Sequence, residues 1–206
     1  MLVYGDWNGD GKTKVGLYAS GAWYLDFNGN GVWDGPTVDK VVFWSTGQAG
    51  EKPVTGDWNG DGKTKVGVFV NGTWVLDYNG NYIWDGSGLD KSINWSTGLT
   101  GEVPITGDWN GDGKTKIAVY QNGTWIMDFN GNYAWDGTSV DRLSFFGGTG
   151  YVPVVGDWNG SGTSKMGAFA SGLWALDVNG NYAWDPPADR LFTIGASRQK
   201  LIVGKW

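Results

Sequence analysis

The sequence contains no cysteine and no histidine. Together these absences exclude disulfides, thiolate or imidazole metal centres, cysteine nucleophiles and a Ser-His-Asp triad. Positive charge is also scarce. Fifteen Lys and Arg stand against 21 Asp and Glu, a formal net charge of −6, and the basic residues are spread evenly instead of forming the stripe a nucleic-acid binder needs. DNA and RNA are therefore not expected as partners. No run approaches the ~18 apolar residues of a membrane-crossing helix, so membrane insertion is not expected. The chain also shows no leader, so an export signal would have been removed or would lie outside it.

Glycine, by contrast, is abundant: 37 of 206 residues, at fixed places and not in a low-complexity tract. That distribution points to many tight turns and so to many short strands. With 40% hydrophobic and 16% aromatic residues the chain is apolar enough to fold around a packed core.

Internal repetition organises everything else. GDWNGDGKTK begins at Gly5 and returns at Gly56 and Gly107, and the variant GDWNGSGTSK begins at Gly156. Four units follow, approximately residues 2–52, 53–103, 104–152 and 153–200, and residues 201–206 (LIVGKW) read as the first strand of a fifth. Each unit divides alike. VTGDW (Val54 to Trp58) reads as a first strand, KVGVFV (Lys65 to Val70) as a second, TWVLDY (Thr73 to Tyr78) as a third and DKSINWST (Asp90 to Thr97) as a fourth. Between the second and third lie Ser20-Gly21, Asn71-Gly72, Asn122-Gly123 or Ser171-Gly172, a two-residue hairpin signal that makes those strands antiparallel neighbours. The sequons at Asn71 and Asn122 fall in these turns.

Four antiparallel strands every ~50 residues is the pattern of a β-propeller blade. The expected fold is all-β, a single propeller domain of four repeated four-stranded blades. It is either a closed four-bladed ring or half of an eight-bladed ring formed by two chains, a homodimer. Thirteen of the fifteen Trp recur at fixed places, including Trp7, Trp58, Trp109, Trp158 and Trp206, then Trp23, Trp74, Trp125 and Trp174, which suits packing between blades.

Two loops in each unit carry the candidate chemistry. In the first, Asp6, Asn8 and Asp10 alternate with Gly11 behind them, the spacing at which a short loop wraps oxygens around Ca²⁺. The matching sets are Asp57, Asn59 and Asp61; Asp108, Asn110 and Asp112; and Asp157 and Asn159 with Ser161. This motif followed by an apolar strand resembles the FG-GAP or VCBS repeat of integrin-like propellers, bacterial and archaeal surface proteins and propeller lectins. The resemblance spans all four units. It implies a propeller, an extracellular or cell-surface location, and a loop of the form Asp-x-(Asp or Asn)-x-Asp-Gly-x-x-Asp that holds Ca²⁺.

The final Asp of that pattern is Lys14, Lys65, Lys116 and Lys165 here. An ammonium repels the ion and offers no lone pair, but it can donate three hydrogen bonds to the same oxygens. The preferred reading is a structural lysine–carboxylate lock. Calcium with Lys turned outward, and plain Asx turns with a solvated Lys, are the alternatives.

The second loop keeps its ninth acid. Its sets are Asp26, Asn28, Asn30 and Asp34; Asp77, Asn79, Asn81 and Asp85; Asp128, Asn130, Asn132 and Asp136; and Asp177, Asn179, Asn181 and Asp185. Two carboxylates and two amides would suit a weak calcium site, with a hydrogen-bonded turn as the other reading. No cofactor is required, and Ca²⁺ is left open. Asp39, Asp90, Asp141 and Asp189 follow in each unit and are placed to reach back.

Because every well-placed acid belongs to a fourfold set, a carboxylate-based glycoside hydrolase is the least favoured reading, and no catalytic residue is expected. The leading one is a non-enzymatic adhesion module with a glycan or protein ligand. Its candidate ligand-binding residues are Trp33, Trp84, Trp135 and Trp184 with Tyr82, Tyr133 and Tyr182. A purely structural scaffold is the alternative.

Overall fold

The computed structural model describes residues 1–195. The expected fifth first strand at 201–206, with Trp206, lies outside the described residues. Among the described residues all regular structure is strand. The chain forms four sheets, each with four antiparallel strands in sequence order. The first sheet comprises β1 (Leu2–Gly5), β2 (Lys14–Ala19), β3 (Ala22–Leu25) and β4 (Lys40–Phe43). The second comprises β5 (Lys52–Gly56), β6 (Lys65–Val70), β7 (Thr73–Leu76) and β8 (Lys91–Asn94). The third comprises β9 (Val103–Gly107), β10 (Lys116–Gln121), β11 (Thr124–Met127) and β12 (Arg142–Phe145). The fourth comprises β13 (Val152–Gly156), β14 (Lys165–Ala170), β15 (Leu173–Leu176) and β16 (Arg190–Thr193). These are the four blades of an all-β propeller fold.

The hairpin turns explain the register. Asn71 and Gly72 have φ of 50° and 83°, a conformation in which both central residues are left-handed, so Val70 pairs with Thr73 and Phe69 with Trp74. Strand ends differ from the sequence reading by up to three residues, for a local reason. The first strand stops at Gly56 and the third at Leu76 because Asp57 and Asp77 leave the ladder to bind loop N–H groups.

The chain divides into two compact units. One holds Met1–Trp95 with Gly113–Thr115, and the other, among the described residues, holds Ser96–Asp112 with residues 116–195. In the first unit, Trp7, Tyr18, Trp23, Val42 and Trp44 of the first blade pack on Val66 and Val68 of the second. Trp44 Nε1 donates to Val75 O at 3.0 Å, and the first loops are tied reciprocally, Thr64 N to Asp6 O at 2.7 Å and Asp6 N to Thr64 Oγ1 at 2.9 Å. The second unit repeats this packing. Trp109, Tyr120, Trp125 and Phe146 pack on Met166 and Ala168, and Ser164 N donates to Asp108 O.

One glycine of the Gly-Asp-Trp run is fixed by crowding, not by backbone sign. A Cβ on Gly56 would lie 2.5 Å from the ring of Trp58, which folds back over the strand. The tightness of that approach is why a small residue precedes each Asp-Trp pair.

Candidate functional site

The first loops are closed by their lysines. Lys65 Nζ donates to Asp57 Oδ1 at 2.9 Å, Asp61 Oδ1 at 2.6 Å and Lys63 O at 2.9 Å, using all three of its protons. Asp57 meanwhile accepts the N–H groups of Gly60 and Asp61 on Oδ1 and of Gly62 on Oδ2. Asn59 Oδ1 takes Asp61 N–H at 3.2 Å. The loop is thus organised around an ammonium at the place where a cation-binding loop puts its ion.

The other blades repeat the geometry. Lys14 donates to Asp6 (3.0 Å) and Asp10 (2.5 Å), and Asn8 caps Asp10 N–H. Lys116 donates to Asp108 (3.0 Å) and Asp112 (2.6 Å), with Asn110 accepting from Asp112 N–H. In the fourth blade the hydroxyl of Ser161 replaces the missing carboxylate, at 2.6 Å from Lys165 Nζ, and Asp157 lies at 2.8 Å while Asn159 accepts from Ser161 N–H. All four lysines are buried. Hydrogen bonding from Lys165 pulls Asp157 down to about 2. The Lys14 bond likewise lowers Asp10, while at Lys14 burial opposes the charge and the bonds to Asp10 and Asp6 outweigh it, raising its pKa. At Asp61 burial acts upward and is overcome by Lys65, so its pKa falls.

The second loops are closed by carboxylates bound to backbone. Asp77 accepts Gly80 N–H (2.9 Å) and Tyr82 N–H (3.1 Å), Asn79 and Asn81 accept Asn81 and Ile83 N–H, and Asp85 Oδ2 takes both side-chain amides. Asp90, buried, spans the whole loop: Oδ1 accepts Tyr78 N–H at 3.0 Å and Oδ2 accepts Asp85 N–H at 2.8 Å. The same pattern holds at Asp26, Asn28, Asn30 and Asp34 under Asp39. It recurs at Asp128, Asn130, Asn132 and Asp136 under Asp141, and at Asp177, Asn179, Asn181 and Asp185 under Asp189. The ligand-like oxygens of these loops are therefore engaged by internal N–H donors. Among the described residues no three acidic side chains gather as a metal cluster.

Burial raises Asp77 and Asp128 to about 6, with the charges of Asp90 and Asp141 adding to it, and Asp177 moves in the same direction. This sets a pH dependence. From the ordinary value of 3.8 up to about 6 the folded chain holds these protons and the unfolded chain does not, so stability falls as pH rises across that window. Asp10, Asp61 and Asp157 act oppositely, losing stability as pH drops below their unfolded value. Thermal melting is expected to peak near pH 4 and to decline toward both pH 6 and pH 2.5. A melting temperature that climbs steadily from pH 4 to pH 7 would contradict this.

The candidate aromatic residues separate into two groups. Trp33, Trp84, Trp135 and Trp184 are 49%, 47%, 47% and 42% exposed. Two of them are braced on the preceding blade: Trp84 meets Trp44 edge-on with centroids 6.1 Å apart, and Trp184 meets Phe146 at 5.8 Å.

The tyrosines behave differently from the expectation that they face a ligand. Tyr82, Tyr133 and Tyr182 have φ of 66°, 66° and 64°, the conformation Gly31 holds in the first blade. Tyr82 packs against the first blade's core, and Tyr182 lies edge-on to Phe129 and donates its hydroxyl to Trp109 O at 3.1 Å. The strain of a positive φ in a bulky residue is offset by this burial, which pushes both phenols up to about 12. Tyr133 is half-buried at the same place.

The role of Glu51 and Glu102 is visible only in the structure. Glu51 accepts from Ser45 Oγ at 2.6 Å and Tyr18 OH at 2.7 Å, and Glu102 accepts from Ser96 Oγ at 2.7 Å, each closing the loop after its blade's last strand. Their sequence signal was only the matched spacing. No model of a known protein family matches the sequence, and no curated protein is detectably similar to it.

Proposed function

We propose that the chain is a non-enzymatic extracellular or cell-surface binding module that takes carbohydrate on repeated tryptophan platforms. The observation that carries this reading is the set Trp33, Trp84, Trp135 and Trp184: four indoles at the same place in four blades, each about half exposed beside a loop of Asp and Asn. A half-exposed indole offers an apolar face for the C–H surface of a sugar ring. Each such site is weak alone, and four together supply avidity. The resemblance to propeller lectins points the same way. Catalysis is not part of the reading, since the well-placed acids already accept backbone or lysine donors. Calcium is not part of it either, since an ammonium holds the first loop and N–H groups hold the second.

A scaffold without a small ligand is the second reading, favoured by the edge contacts that Trp84 and Trp184 make with neighbouring blades. A glycan array separates the two. Wild-type protein is expected to bind, Trp84→Ala to lower apparent affinity severalfold, and the combined Trp33, Trp84, Trp135 and Trp184→Ala variant to lose binding while keeping its strand circular dichroism. A blank wild-type array, or binding undiminished in the fourfold variant, would sink the carbohydrate reading.

A further inference from the structure

The two blades at the ends of the repeat each present an apolar surface that its equivalents elsewhere bury. In the second blade Val66 and Val68 are fully buried and Val75 is partly so, all packed on the first blade's core. In the fourth, Met166 and Ala168 are buried in the same way on the third. The corresponding first-blade residues, Val15, Leu17 and Tyr24, are 44%, 56% and 43% exposed. This is a strip of apolar side chains on one face of β2 and β3, ending at Gly31, where the later blades insert a tyrosine.

The opposite kind of face is open on the fourth blade. Val42 of the first blade is buried at the junction with Val66 and Val68 of the second. Phe192, which pairs with Trp174 as Val42 pairs with Trp23, is 40% exposed. Beside it lies an open cleft of about 560 Å³ lined by the apolar Trp158, Leu176, Val178, Leu191 and Phe192 together with Asp189 and Arg190. In the third blade the matching residues Trp109, Met127 and Phe129 are covered, and the covering group is Tyr182 of the next blade.

We propose that these two faces are complementary halves of one more blade junction, completed by a second copy of this chain. The first blade of one copy packs on the fourth blade of its partner, and the reciprocal contact forms at the other end. At the junctions between the first and second blades and between the third and fourth, the same two faces meet as strand-for-strand equivalents. A contact between two unlike faces of the same chain is heterologous, and two copies satisfy all four faces when the pair closes. Apolar strips of this kind left in water are otherwise a liability for aggregation.

The test is the mass of the purified chain in solution by sedimentation or light scattering. Wild-type protein is expected at twice the chain mass across the micromolar range. Leu17→Asp and Phe192→Asp, both at exposed positions, are each expected to be monomeric and folded. An equimolar mixture of the two is expected to recover a dimer, because one variant retains an intact fourth blade and the other an intact first blade. Its apparent dissociation constant should be at least tenfold weaker, since one junction remains in place of two. A monomeric wild type would overturn the proposal, as closure within one chain or by another partner would give. So would growth beyond the dimer with concentration, or a mixture that stays monomeric.

Discussion

Lys65→Met is expected to lower the unfolding free energy by about 2–3 kcal/mol. Removing one partner of a buried ion pair typically costs about 3–5 kcal/mol, because the other charge is left without compensation. Here the loss is smaller, since the side chain of Asp61 is 42% exposed and rehydrates, whereas Asp57 at 19% and its three backbone donors do not. Denaturant midpoints with unchanged slope would measure it, and a loss under about 0.5 kcal/mol would show the lysine to be a spectator. Lys65→Asp carries the argument further. That change places a third carboxylate beside Asp57 and Asp61 and removes the ammonium, so the variant is expected to be the less stable of the two without calcium. It is also expected to regain melting temperature in millimolar Ca²⁺ through preferential binding to the folded state. Wild-type protein under the same titration is expected to show no shift. A calcium-dependent rise in the wild type would mean that a loop binds the ion after all.

Asp90→Ala should destabilise by a comparable or larger amount, about 2–5 kcal/mol. The side chain is fully buried and its two oxygens serve two different backbone donors, Tyr78 N–H and Asp85 N–H, at the two ends of the second loop. Each donor left unsatisfied away from water costs about 1–3 kcal/mol. Asp90→Asn provides the control. Its one carbonyl oxygen can keep one of the two bonds, and its neutrality relieves the repulsion with Asp77, so it is expected to recover about half of the loss. If Asp90→Ala and Asp90→Asn were equally stable, the two backbone bonds would not be the source of the effect. Because Asp90 closes the loop that carries Trp84, glycan binding at that platform should weaken with the loop's order, even under conditions where the blade remains folded.

The sequence reading reached the strands because their signals are local. Asn71-Gly72 between two β-rich runs fixes a hairpin through its own backbone preferences, and the fourfold return of Trp and Gly fixes the blade. The lysine–carboxylate lock was legible for a similar reason. Its partners lie within eight residues of one another, so the spacing and the charges alone bring them together. The packing of Tyr82 and Tyr182 was not legible because their surroundings come from another blade. Nothing near Tyr182 in the chain indicates Phe129 or the Trp109 carbonyl, which lie 53 and 73 residues away. The positive φ of Tyr82, Tyr133 and Tyr182, at the place where the first unit has Gly31, is itself visible only in the structure.

By itself, then, the sequence determined the unit: four β-strands, two carboxylate-centred loops, and a lysine where a calcium-loop spacing calls for an acid. Hydrogen bonds between near neighbours and steric limits on φ and ψ are sufficient to specify those features. Tertiary structure decided which aromatic residues face water and which fill the seams between blades. It also decided that Asp90 and Glu51 are fasteners and that the outer faces of the first and fourth blades stand open. Burial depends on what a neighbouring sheet covers, and identical repeats differ in that respect only through their place in the array.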